Sequence, residues 1–377
     1  MAARKTSAWP LSGAYAALIF YASLYPFAGW RDQGIPPWSF LTEGFPRYWS
    51  GFDVVANGLG YVPLGFLLAL SVLRRGIAPT LPFGNRAALV AAALGGGGLS
   101  LVMEGLQSYL PVRVPSSVDL ALNFAGSAVG GAVAVLLERT GALGHWDRLR
   151  DRWFVPDARG ALVLLALWPF GLLFPASVPL GLGQVMERLE AALADWLLDT
   201  PFLEWLPVRE VELQPLVPAA ELVCVALGVL IPCLLAYSVL RNAARRVTAA
   251  VLLLGAGVGV TALSAALSWG PAHAWSWMSL PVRTGLAGGA LLAAALLAVP
   301  RRACAVLLLA ALMLHLSLLN QAPANPYFAL TLQSWEQGRF IRFNGLAQWL
   351  GWLWPFAALA YVVVRLSRRE PASTIGG

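Results

Sequence analysis

The chain has 377 residues, 58% of them hydrophobic and 12% charged, with a formal net charge of +7. A soluble domain carries about 25% charged residues, so this composition excludes a soluble enzyme, a disordered chain and a disulfide scaffold, and leaves a polytopic helical membrane protein. A transmembrane β-barrel is excluded as well, because its strands alternate over about 10 residues, whereas the apolar runs here approach the roughly 20 residues of a membrane-crossing helix.

In chain order the runs expected to span are 8–29, 53–73, 87–109, 118–137, 160–181, 216–240, 247–269, 284–300, 303–320 and 346–365. This predicts an all-α bundle of about ten transmembrane helices. The first run follows Arg4 and Lys5, is longer than the apolar core of a signal peptide and has no small-residue cleavage site after it, so it is read as a retained span. The basic residues form no patch or aromatic-interleaved stripe for nucleic acid. They gather between alternate spans, at Arg74, Arg75 and Arg86, at Arg139, Arg148, Arg150, Arg152 and Arg159, at Arg241, Arg245 and Arg246, at Arg301 and Arg302, and at Arg365, Arg368 and Arg369. By the positive-inside rule both termini are expected to be cytoplasmic.

Three regions are expected. Residues 1–140 form a four-helix membrane unit, 141–159 a basic cytoplasmic connection, and 160–377 a six-helix region. Within the last, 184–206 reads as an amphipathic helix lying at the outer interface, with Val185, Met186, Leu189, Leu193, Trp196 and Leu197 on one face. Many of the 16 tryptophans, among them Trp30, Trp38, Trp49, Trp269, Trp275 and Trp335, fall near outer span ends as an interfacial belt. Glycines such as Gly95 to Gly98, Gly126, Gly130, Gly255, Gly257 and Gly259 read as close-packing positions. Cys224, Cys233 and Cys304 lie in apolar segments and behave as small buried hydrophobes.

Charged groups inside spans are costly and mark sites by default. The second span opens with Asp53 and Asn57, the third ends with Glu104 and Gln107, the next loop holds Arg113, Ser116 and Ser117, and the fourth span opens with Asp119 and Asn123. Each pair is spaced to share one helix face, and the expected topology brings all of them to one depth near the outer leaflet. Bland readings stand beside this one. Ser116 and Asp119 form a helix cap, Arg113 pairs with Glu104 or anchors at the interface, and Asn57, Gln107 and Asn123 act as interhelical glue. Elsewhere, Glu221 suits a helix N-terminus, His315 with Asn320 and Gln321 could line a path, and Glu336, Arg339 and Arg342 sit in an outer loop.

The succession Asp53-x-x-x-Asn57, Pro63-x-Gly65, Glu104-x-x-Gln107, Pro111-x-Arg113, Ser116 or Ser117, Asp119-x-x-x-Asn123-x-x-Gly126-x-x-x-Gly130 resembles the VanZ-like family, over roughly residues 15–140. The family is named for a protein associated with teicoplanin resistance, and its small members consist of a unit of this kind alone. Many members place a Lys and a His just after the first Asp, where this chain has Val54, Val55 and Ala56. The resemblance implies a cell-envelope membrane protein and does not extend to the six later spans.

Three functions stay open at this point. One is recognition or handling of a polar envelope, lipid-linked or glycopeptide-type ligand through the outer cluster, among membrane lipids, with Arg113 available for a phosphate or carboxylate. Another is an integral-membrane enzyme using a carboxylate, or a divalent cation on Asp53, Glu104 and Asp119, the oxygen ligands a hard cation takes. The third is a transporter. No Ser-His-Asp set, HExxH or phosphate loop points to a reaction, and nothing names a protein partner.

Overall fold

The computed structural model describes residues 8–25, 27–42, 51–74, 84–205, 213–323 and 339–368. It divides into two compact units, Met1–Leu149 and Arg150–Gly377. The first holds α1 (Ala8–Leu24), α2 (Gly51–Arg74), α3 (Gly84–Gln107) and α4 (Ser117–Arg139), and α5 (Ala142–Trp153) runs across the division. The second holds α6 (Arg159–Gly171), α7 (Met186–Leu197), α8 (Pro218–Val239), α9 (Ala243–Trp269), α10 (Leu280–Ala295), α11 (Arg301–Leu319) and α12 (Arg339–Ser367). The chain is an all-α, multi-pass membrane protein.

Each of the ten expected runs overlaps one apolar helix. Among the described residues seven are long and apolar enough to cross a membrane, within α2, α3, α4, α8, α9, α11 and α12. The apolar helices α1, α6 and α10 are shorter. The 13 residues of α6 cover about 20 Å at about 1.5 Å per residue, less than the roughly 30 Å hydrocarbon core. Hydropathy extended this span to 181, but Pro169, Pro175 and Pro179 remove backbone donors, and the chain continues from Leu172 to Val185 without regular helix.

In the first unit α2, α3 and α4 pack on one another, with α1 against α2 and α3. Small residues set how close they come. A methyl group on Gly126 would stand 2.0 Å from the Gly58 carbonyl oxygen, and one on Gly130 would stand 2.0 Å from that of Val62. Only glycine lets the α4 backbone rest on the α2 backbone. Ser127 completes this seam from the other side, its hydroxyl donating to the Ala92 carbonyl of α3 at 2.7 Å. At the opposite helix ends, Arg74 of α2 is ion-paired with Asp147 of α5.

The second unit is built around α8. From Cys224 to Val239 every residue of this helix is buried, with α6, α9, α10 and α11 packed on it and α12 against α6 and α11. A helix apolar all round belongs in the middle of a bundle. Its C-terminal carbonyls need partners. Arg246 donates to Tyr237 O at 3.0 Å, Arg365 to Ser238 O at 2.9 Å and the Val155 amide to Val239 O at 2.9 Å. All three cysteines are buried and free. The helix α7 has no buried residue, and its first amides, Val185 N and Met186 N, donate to Asn320 Oδ1 at 3.0 Å each.

Candidate functional site

At one end of the first unit the C-termini of α1 and α3 meet the N-terminus of α4, and the reason lies in which backbone groups each helix leaves unpaired. The turn that follows α3 makes Ser116 the N-cap of α4, with its hydroxyl accepting from Val118 N at 3.2 Å and Asp119 N at 3.4 Å. The Ser116 amide is an orphan donor of the same helix start. It donates to Glu104 Oε2 at 2.9 Å. Capping boxes usually take this carboxylate from the third residue of the same helix. Here a neighbouring helix supplies it, so Glu104, only 4% exposed, fastens α3 to the start of α4.

Asp119, in the first turn of α4, suits the positive end of the helix dipole and lies within electrostatic reach of Glu104. Ser117 is the first helical residue. Two turns further in, the Asn123 amide donates from Nδ2 to Ser100 Oγ of α3 at 2.9 Å. The hydroxyl of Tyr61, from α2, stands near Ser100 and feels Glu104 electrostatically. Tyr61, Ser100, Glu104 and Asn123 are all more than nine-tenths buried. Within this group Asn123 Oδ1 is buried and has no hydrogen-bond partner, and Tyr61 Oη, buried beside Ser100, makes no hydrogen bond of good geometry. Buried polar atoms nearly always have partners, so orphans call for an explanation such as a water, an ion or a ligand.

Two expected members turn elsewhere. Gln107 donates from Nε2 to Ser23 O of α1 at 3.0 Å. Arg113 donates from Nη2 to Tyr25 O at 2.6 Å and Ala22 O at 3.4 Å. Arg113 is not ion-paired with Glu104. It meets the exposed carbonyls at the C-terminus of α1, where a cation is favoured by both the free acceptors and the dipole. Its Nε is a further buried donor without a partner. Asn57 is half-buried in α2. Asp53 lies near the start of α2, and its side chain is outside the described residues, as are the side chains of Trp49, Trp335, Glu336, Arg339 and Arg342. Among the described residues no group of three or more His, Cys, Asp or Glu comes together.

The sequence reading missed Tyr61 and Ser100. A signal was present: Tyr61 follows Asn57 by four residues, and Ser100 precedes Glu104 by four. Each therefore extends a polar stripe along a face already singled out. His315 in the second unit is buried beside Cys224 of α8, its Nδ1 3.2 Å from Cys224 O, and Asn320 holds the start of α7. The path-lining role weighed for these two is matched by ordinary structural partners.

Residues 5–138 match the family model described as VanZ/LLP1. No curated protein and no solved structure matches the chain. The protein therefore carries a VanZ-like N-terminal domain, followed by helices that this match does not cover.

Proposed function

We propose that the VanZ-like unit recognises a hydroxyl- or amide-bearing head group of an envelope or lipid-linked molecule, from the outer leaflet of a bacterial inner membrane with both termini in the cytoplasm. One observation carries this reading: beside the buried Glu104, Asn123 Oδ1 is left without a partner and Tyr61 Oη has only a poorly aligned neighbour in Ser100. A network that served only to hold helices together would satisfy its own atoms, since each unsatisfied buried group costs about 1–3 kcal/mol. The donor and acceptor positions on offer match a sugar hydroxyl or a peptide amide. Arg113 gives its Nη2 to the Ala22 and Tyr25 carbonyls of α1 and keeps one buried donor, Nε, without a partner.

Tyr61→Phe removes one hydroxyl and nothing else. Glu104→Gln keeps an oxygen for the Ser116 amide while removing the charge. Native mass spectrometry of the full chain in detergent, with teicoplanin and a polyprenyl-linked disaccharide as probes, reads the result. The expected outcome is retention of at least one probe by the wild type and about a tenfold loss in Tyr61→Phe, which is about 1.4 kcal/mol, with thermal stability held or raised. Both variants retaining the probes at wild-type strength, or the wild type retaining neither, would mean that the cluster is interhelical glue.

A further inference from the structure

The second unit contains an open cleft of about 330 Å³, within the range of about 300–1,000 Å³ usual for small-molecule sites. It lies where α6 ends, α8 and α10 begin and α9 ends, and its floor is the non-helical run after α6. Such backbone at membrane depth is tolerated where it is buried in protein or lines a cavity. The run is held under strain at Leu180, whose φ of 61° is left-handed and whose side chain is buried. Strain of this kind, about 1–3 kcal/mol, persists only where surrounding structure imposes it, often at ligand sites.

The lining of the cleft has an uneven chemistry. Among the described residues of the lining the one charged side chain is Glu221, and it has no ion-pair partner among them. Three serines already spend their protons on the protein: Ser177 donates to Gln184 Oε1 at 2.7 Å, Ser264 to Leu173 O at 2.8 Å and Ser276 to His273 O at 2.8 Å. The Trp277 N–H donates to Ala274 O at 2.8 Å and one ring face stacks toward Trp275, with centroids 6.4 Å apart, which leaves the other face. Thr261 Oγ1 is buried in the lining without a partner. What remains on offer is a carboxylate, hydroxyl lone pairs and an aromatic surface. The helix dipole accounts for a carboxylate in the first turn of α8, but not for serine oxygens facing a cleft with no basic group among the described residues of its lining.

We propose that this cleft binds a primary ammonium group, of the kind carried by an aminated lipid head group or a free small amine. Glu221 neutralises the charge, the serine and threonine oxygens accept the N–H donors, and Trp277 supplies a cation–π face. A quaternary ammonium satisfies the charge and the ring but donates no hydrogen bond, so it binds less well. The volume is far larger than a bare metal ion needs. The site is independent of the head-group reading of the VanZ-like unit.

The test uses the full chain in nanodiscs, with native mass spectrometry and Trp fluorescence as readouts. Phosphatidylethanolamine, phosphatidylcholine and phosphatidylglycerol are the lipid probes, and ethanolamine is the soluble one. Retention should fall in that lipid order, and Glu221→Gln should weaken phosphatidylethanolamine at least tenfold while leaving the melting temperature within a few degrees. Thr261→Val should weaken it several-fold. Binding of ethanolamine alone would assign the site to free amines, and binding of the lipid alone would assign it to head groups; either supports the proposal. Equal retention of phosphatidylglycerol, full displacement by sodium or potassium, or an undiminished Glu221→Gln would overturn it. If Glu221→Gln fails to fold, the lipid order in the wild type decides.

Discussion

Helices α4 and α8 have similar length, 23 and 22 residues, yet 39% of the α4 span is buried within the protein against 83% of the more apolar α8 span. The first unit is a thin cluster in which backbones touch. Its tightness comes from missing side chains at Gly126 and Gly130, and its polar groups meet because three helix ends are brought together. The second unit is thick. A central helix carrying Leu234 and Leu235 is sheathed by neighbours such as Leu308 and Leu312 of α11, all fully buried, and the cleft of this unit comes from an interrupted helix and not from a cluster of polar span residues. Two routes thus lead from apolar sequence to a polar recess: converging helix ends in one unit, broken backbone in the other.

The largest effect expected from this contrast is in the sheathed core. Leu235→Ala should cost about 2–5 kcal/mol, as buried leucines do, while Val129→Ala on the exposed face of α4, at 54% exposure, should stay within about 0.5 kcal/mol; denaturant titration in detergent compares them. Equal losses would erase the distinction between the two units.

Glycine replacements should reverse the pattern. Gly126→Ala or Gly130→Ala should each cost about 1–3 kcal/mol by overpacking the α2–α4 seam. A methyl group at Gly255 or Gly259 of α9 meets nothing within 4 Å, so alanine there should be neutral or stabilising by about 0.5–1 kcal/mol. Thermal melts of the four variants check this.

A smaller and more local loss is expected at Arg113. Arg113→Ala leaves the Ala22 and Tyr25 carbonyls without their donor, at about 1–3 kcal/mol, and should expose the end of α1 to limited proteolysis before the rest of the unit. Protection unchanged from the wild type would show that the arginine does not hold α1.

The smallest perturbation tests orientation. Val114 is 85% exposed, and Arg148 lies on α5. An impermeant thiol reagent applied from outside should label Val114→Cys and spare Arg148→Cys, against a low background because the native cysteines are buried. The reverse labelling would invert the topology and with it the outer-leaflet placement of the VanZ-like cluster.

The apolar runs were legible because hydropathy is a local property summed along the chain, and the Ser116 cap was legible because a helix start is decided within one turn, although the carboxylate that completes it came from Glu104 and not from Asp119. Spacing alone put the pairs Glu104 with Gln107 and Asp119 with Asn123 within about one turn of each other on their helices. Their partners were not legible. Spacing could not say that Glu104 would take the Ser116 amide, that Gln107 and Arg113 would turn to α1, or that Tyr61 would complete the group, since each outcome depends on which unpaired backbone atoms another helix brings within about 3 Å. The early end of α6 was written in Pro169, Pro175 and Pro179, but an average over an apolar run conceals such interruptions. Sequence by itself thus determined that this chain lives in a membrane as helices, with a VanZ-like pattern in its first third. Tertiary structure alone decided which polar groups remain without partners, because hydrogen bonding between helices is a matter of short-range geometry that no single helix contains.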